Sequence, residues 1–356
     1  MIAAGARLLR SAYLDWPALA SAALATRDGF RRVLDLARAR GSLTRAGWRG
    51  DARCVRCGLA ARVPGVSLDL LGRCRECVAA PVPGLPPAIL GALPEISLAR
   101  IAETAARRCL VPRADGGVDA VVALSGGKDS LLALIGARAL DLRVVAVTLD
   151  NGFLLAPALA NARAWCERLG VPLAIRREPM HDVVRAALRR KRLVPWPCIA
   201  CFDRLSRVLL AEAARVDART ILTGLRYRWP SGSALAPASE AFAPYAPPRE
   251  AARVAVLNLP AALGLTETEE RALLARLGWH DPGLEGHSTN CLLPAHFEHL
   301  HRTRVGHPHE SVRFVAREAR EGVITAALAV ARMAGAPPRD EHRDELARRL
   351  AEDGRE

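Results

Sequence analysis

Three groups of residues in this chain have the types and spacing to do chemistry. The first is Ser125-Gly126-Gly127-Lys128-Asp129-Ser130, placed between a short apolar run and a helical one. Adjacent glycines let a backbone approach a phosphate closely, and the free N–H groups of a helix N-terminus favour an anion. The hydroxyls of Ser125 and Ser130 can donate to phosphate oxygens. Lys128 offers a compact ammonium for which arginine is a poor substitute. Only Lys128 and Lys191 are lysines, against 49 arginines, so this one is informative. The run is not a Walker A loop, which would need glycine where Val122 stands and Ser or Thr where Asp129 stands. A G-x-G-x-x-G fingerprint is absent as well.

The second group is Cys54-x2-Cys57 and Cys74-x2-Cys77, two knuckles separated by sixteen residues. That spacing can bring four thiolates around one structural zinc ion, and the metal would stabilise a segment too small to fold alone. The third group is Cys198-x2-Cys201, at the expected start of a helix, with the distant Cys291. A helix N-terminus favours thiolate. Such a trio fits a metal cluster, a redox pair that receives persulfide, or plain structural thiols. Cys109 and Cys166 stand alone on apolar helical faces and read as core.

The complete SGGxDS run after a strand resembles the PP-loop ATP pyrophosphatases, from about residue 118 to 230 and more loosely to 295. That resemblance implies a doubly wound α/β fold of the adenine nucleotide alpha hydrolase-like kind. It implies that residues 125–130 hold the pyrophosphate end of ATP with magnesium, Lys128 and Asp129 acting in catalysis. A substrate oxygen would attack the α-phosphate, and a sulfur or nitrogen nucleophile would then displace AMP. Asp150 or Asn151, ending one strand, and Thr223-Gly224, ending another, match positions near the nucleotide in such proteins. Cys198, Cys201 and Cys291 are similar to the trio of the tRNA-thiolating members, where three thiolates hold a [4Fe–4S] cluster with one iron open for sulfur. A sulfur donor and tRNA would then be partners.

Two features depart from that branch. Its acidic Gly-His-Asn-x-Asp-Asp stretch is missing, and "TGLRYRWPSG" stands in its place. The paired N-terminal knuckles and the tail "REAREGVITAALAVARM" resemble instead the N-acetyl sugar amidotransferases, which use ammonia from a glutaminase partner. A non-enzymatic zinc-ribbon RNA-binding protein is a third reading, against which the intact loop argues. The run Arg185–Arg192 suits an RNA backbone or a solvated helix end, and His296, His299 and His301 suit a pocket wall or a surface helix.

Positioning these groups requires βα alternation. Short apolar runs at 118–124, 143–149, 171–176 and 218–224 read as buried parallel strands. Helices are expected at 131–140, at 157–170 with Gly170 as its stop, at 180–192 and at 201–216. Thr266 and Glu269 form a capping box that opens a helix to 279. The expected organisation is a helical segment at 1–50, a four-cysteine zinc ribbon at 51–80, and a linker with a helix at 81–117. The ATP pyrophosphatase domain follows at 118–260, and a helical region at 261–356 completes the site. The net charge of +14 comes from an arginine-rich composition and is weak support for a polyanion partner. No run of 18 apolar residues predicts a membrane span, and Arg10 and Asp15 interrupt the apolar N-terminus, so a cytoplasmic protein with reduced cysteines is expected. A homodimer is left open.

Overall fold

The computed structural model describes residues 52–69, 72–79, 113–190, 196–229, 233–242, 253–279, 290–335 and 337–352. The expected N-terminal helical segment at 1–50, most of the linker at 81–117, and also Cys109 and Lys191 lie outside these residues. The chain divides into two compact units. One is a mixed α/β unit drawn from Gly84–Gly306, Glu321–Ile324 and Ala334–Glu356. The other joins Met1–Pro83 to His307–Arg320 and Thr325–Met333. The stretch 261–356, read from the sequence as one helical region, is therefore shared between the units.

The α/β unit is built on six strands: β1 (Ala120–Ala123), β2 (Val144–Asp150), β3 (Leu173–Arg177), β4 (Thr220–Thr223), β5 (Leu235–Pro237) and β6 (Ala255–Asn258). Their spatial order is β3-β2-β1-β4-β6-β5, with β5 antiparallel to β6 and every other pairing parallel. Successive residues of β1 feed opposite faces: Ala120 and Val122 enter one core cluster, Val121 the other. A sheet covered on both sides needs apolar residues at every position, which is why these strands read as unbroken runs. Each large aliphatic side chain so buried contributes roughly 1.5–3 kcal/mol.

Helices α2 (Lys128–Ala139), α3 (Ala156–Leu169), α7 (Leu259–Leu263) and α8 (Glu267–Arg276) supply one face, through Leu131, Trp165, Leu259 and Leu274. Helices α5 (Pro197–Arg215) and α6 (Ala238–Ala241) supply the other, through Leu209, Ala213 and Ala238. A third cluster joins α4 (His181–Leu188), α9 (Leu293–Val305) and α12 (Asp340–Glu352) through Val184, Phe297 and Leu346. Gly170 ends α3 in the left-handed conformation, and the Thr266/Glu269 capping box is complete. The chain runs outward from β1 to β3 and then returns to place β4 on the other side of β1. That reversal leaves a crevice at the carboxyl ends of β1 and β4, where doubly wound sheets bind ligands.

The second unit holds α1 (Arg75–Ala79), α10 (Val312–Arg320) and the greater part of α11 (Ala326–Ala334), packed with the two cysteine knuckles. A Cβ on Gly58 would lie 2.6 Å from Val330 and 3.2 Å from the Ala326 carbonyl, so that knuckle touches α11 directly.

Candidate active site

The loop at the end of β1 is held by its own serines. Ser130 Oγ accepts from the Ser125 N–H at 3.1 Å and donates to the Gly127 carbonyl at 3.0 Å. Ser125 Oγ stands 3.1 Å from Ser130 Oγ. Gly126 has φ +77, and a Cβ there would sit 1.8 Å from the Ala158 carbonyl on α3, so only glycine fits. Gly224, just past β4, is required by close approach: its Cβ would lie 2.4 Å from the Ser130 N and 2.6 Å from the Asp129 carbonyl carbon. The turn after β4 thus packs on the first turn of α2 across the crevice.

Beneath this loop lies a charge network that the sequence reading missed. The Lys128 side chain is 2% exposed, and its ammonium is committed to Asp129 at 2.8 and 3.0 Å instead of facing the loop's open side. Asp129 also accepts from Arg226 Nε at 2.9 Å, and Arg226 reaches Glu267 at 2.7 Å and Glu270 at 3.8 Å. Burial, then the neighbouring Asp129, pushes Glu270 well above the usual carboxylate range, so it is the member that keeps its proton. Asp129 moves the other way: burial opposes its ionisation, but Lys128 and Arg226 outweigh burial. Glu270 Oε1 is buried without a hydrogen-bond partner among the described residues. The available signal was the capping box, which phases Glu267 and Glu270 onto one face of α8 at i, i+3.

Two of the cysteines outside the knuckles, Cys201 and Cys291, come together at the end of β2. Asn151 is buried, and its Oδ1 accepts from the Phe153 N–H at 2.8 Å. That anchor aims Nδ2 at Cys201 Sγ, 3.4 Å away, and at Cys291 Sγ, 3.7 Å away. Cys198 stands one helical turn before Cys201 on α5. Cys291 is brought in by strand-like pairing: Leu155 N donates to the Asn290 carbonyl at 3.0 Å and Leu292 N to the Phe153 carbonyl at 3.1 Å. Arg349 on α12 secures the same turn through the Gly152 and Leu154 carbonyls, at 3.0 and 2.8 Å. Burial raises all three thiols, Cys291 to about 11. They are protonated at neutral pH unless a bound metal displaces the proton. Asn290, next to Cys291, donates to the Ser125 carbonyl at 3.5 Å, so the cysteine group borders the β1 loop.

Other expected residues are otherwise engaged. Asp150 caps the Gly152 N–H at 3.1 Å and meets Arg177 at 3.6 Å on the rim. Thr223 Oγ1 donates to Asn258 Oδ1 at 2.7 Å, fastening β4 to β6. Cys166 is a core residue, as expected. His301 is buried within α9, and His296 Nδ1 donates to the Leu292 carbonyl at 2.6 Å.

In the second unit, Cys54, Cys57, Cys74 and Cys77 are all buried, and their sulfurs lie within 4.8 Å of one another. The Cys54–Cys77 and Cys57–Cys74 separations are 3.6 and 3.7 Å. A tetrahedron with Zn–S bonds of about 2.3 Å has edges of about 3.8 Å, so the four sulfurs fit a metal ion such as zinc.

No family model matches the chain. Over 185 residues it is 31% identical to an uncharacterized protein of Methanocaldococcus jannaschii, covering 50% of this chain and 59% of that relative's length. Among solved structures, an NH3-dependent NAD synthetase from Campylobacter jejuni, in complex with the nitrate ion, is similar at a TM-score of 0.26 and 19% identity. That match covers 36% of this chain and 53% of the other.

Proposed function

We propose that this chain is an ATP-dependent sulfurtransferase of the PP-loop type, which adenylates a substrate with release of pyrophosphate and then inserts sulfur. One observation carries the reading: Cys201 and Cys291 meet on Asn151 at the end of β2, with Cys198 one helical turn before Cys201, and Asn290 ties Cys291 to the SGGKDS loop through the Ser125 carbonyl. β1 and β2 are neighbouring parallel strands, so their carboxyl ends, and the groups they carry, lie side by side.

In this reading the N–H groups at the start of α2 bind the β,γ-phosphates, and Ser125 and Ser130 shape the loop around them. Lys128 and Arg226 hold Asp129 beneath it, and Asp129 is the ionised carboxylate that nucleotide-bound magnesium would meet. A substrate oxygen attacks the α-phosphorus and pyrophosphate leaves. A sulfide delivered by a sulfur donor then attacks the adenylated carbon, and AMP leaves with the oxygen. Cys198, Cys201 and Cys291 would hold a [4Fe–4S] cluster, which when bound would supply a binding place for that sulfide. Three half-buried thiols whose pKa values are raised suit metal ligation better than free nucleophilic attack, since a metal displaces the protons they retain. The acceptor is a tRNA base or a small molecule.

The test is anaerobic purification and turnover of the full chain. The expected result is a brown protein with about four irons in the cluster, which cleaves ATP to AMP and pyrophosphate. Gly127→Val should abolish ATP binding, and Cys→Ala at 198, 201 or 291 should remove colour and sulfur transfer while sparing ATP binding. Release of ADP and phosphate would exclude the pyrophosphatase chemistry. A colourless protein that turns over with ammonia would replace sulfur by nitrogen and make the chain an amidotransferase acting with a glutaminase.

A further inference from the structure

A divalent ion on four thiolates is a buried group with two net negative charges. Glu76 adds a third, its Oε2 standing 3.6 Å from Cys74 Sγ. Left so, the site would be electrostatically costly, because buried charge needs a partner. The partners come from arginine. Arg320, at the end of α10, is only 10% exposed; its Nη1 donates to Cys57 Sγ at 3.8 Å and pairs with Glu76 Oε2 at 3.3 Å. Arg313, two turns earlier, pairs with the other oxygen of Glu76. Arg56, inside the first knuckle, donates to the Cys77 carbonyl at 2.9 Å and to the Arg320 carbonyl at 3.3 Å.

We infer that Arg320 is a positioning residue of the four-cysteine site, supplying from the far end of the chain the N–H donor and the charge that a divalent tetrathiolate centre needs. Arg320 and Arg313 meet the Glu76 carboxylate, and Arg320 alone of these two also reaches a knuckle sulfur. Arg320 touches both a knuckle sulfur and Glu76, so it links the carboxylate to the thiolate group. Its neighbours fix its own position: the Arg320 carbonyl is held by Arg56, and Glu76 is held from the other side by Arg313.

The experiment uses the full chain loaded with zinc, challenged with a chromogenic chelator under reducing conditions. Arg320→Met keeps the bulk but removes charge and donor, and zinc retention should weaken 10–100-fold, the usual effect of losing an outer-shell partner. Arg320→Lys restores the charge without the planar fork and should fall between the two. Cobalt substitution gives a readout that mere packing loss would not move. Without the N–H bond the Cys57 sulfur lone pairs rise in energy, so the thiolate-to-cobalt band should shift to longer wavelength in Arg320→Met. Wild-type retention with an unshifted band in Arg320→Met would overturn the assignment. Should that variant fail to fold, Arg320→Lys decides alone: unchanged zinc retention and an unchanged band would reject it.

Discussion

Arg226 is the residue on which the buried network turns, because it holds Asp129 and Glu267 at once and approaches Glu270. Removing one partner of a buried ion pair strands the other, typically at 3–5 kcal/mol. Arg226→Gln should therefore lower stability to urea by about that much, and Arg226→Gln combined with Glu267→Gln should recover part of the loss. Equal midpoints for wild type and Arg226→Gln would show that solvent already screens the network. These residues were hard to read in the sequence for a physical reason. Arg226 and Glu267 are 41 positions apart, and each alone looks like a solvated surface charge in an arginine-rich chain. Lys128 was legible as special, but the direction of its ammonium, toward Asp129 and not outward, follows from packing under the loop.

At the scale of elements, the start of β1 is tied to the start of β2 by Asp119. Its carboxylate accepts from the Arg113 and Arg143 backbone N–H groups at 2.5 and 2.7 Å and pairs with the Arg143 guanidinium at 3.1 Å. Burial opposes ionisation, but Arg143 and the two N–H groups outweigh it and hold the pKa below its ordinary value. A depressed carboxylate stabilises the fold above the ordinary aspartate pKa, about 3.9, and the contribution is lost as pH falls through the lower folded value. Asp119→Asn should then melt earlier than wild type at pH 6, with the gap closing as pH falls below about 4. A gap independent of pH would mean that Asp119 acts by shape alone. β1, β2 and β4 were legible because both faces of the sheet are covered there, and the half-exposed edge strand β3 was legible from the apolar start of its run. β5 and β6 escaped notice: β5 has three residues and ends in Pro237, and β6 has four. A three-residue strand closed by a proline, as β5 is, carries too little period to be told from loop.

At the scale of the whole molecule, the four-cysteine module was legible as a motif but not in its extent. Spacing located the ligands, whereas nothing in 51–80 announces that α10 and α11 complete the unit. Metal removal should expose this composition. After chelation under reducing conditions, trypsin should cleave first at Arg313, Arg317 and Arg320 on α10, while arginines of the six-stranded unit stay protected. Simultaneous cleavage across both units would show that they unfold as one.

The same discontinuity sets an order of events during synthesis. Cys57 and Arg320 are 263 positions apart, and Glu76 and Arg313 are 237 apart. At elongation rates of roughly 5–20 residues per second, the knuckles emerge about 12–50 s before their arginines exist. For that interval four thiols are outside the ribosome without the cation and helices that enclose them. Early metal capture protects them from oxidation, but such a nascent centre still carries its uncompensated charge until α10 arrives. Oxidant or metal starvation during translation should therefore damage this protein far more than the same treatment applied to the finished chain.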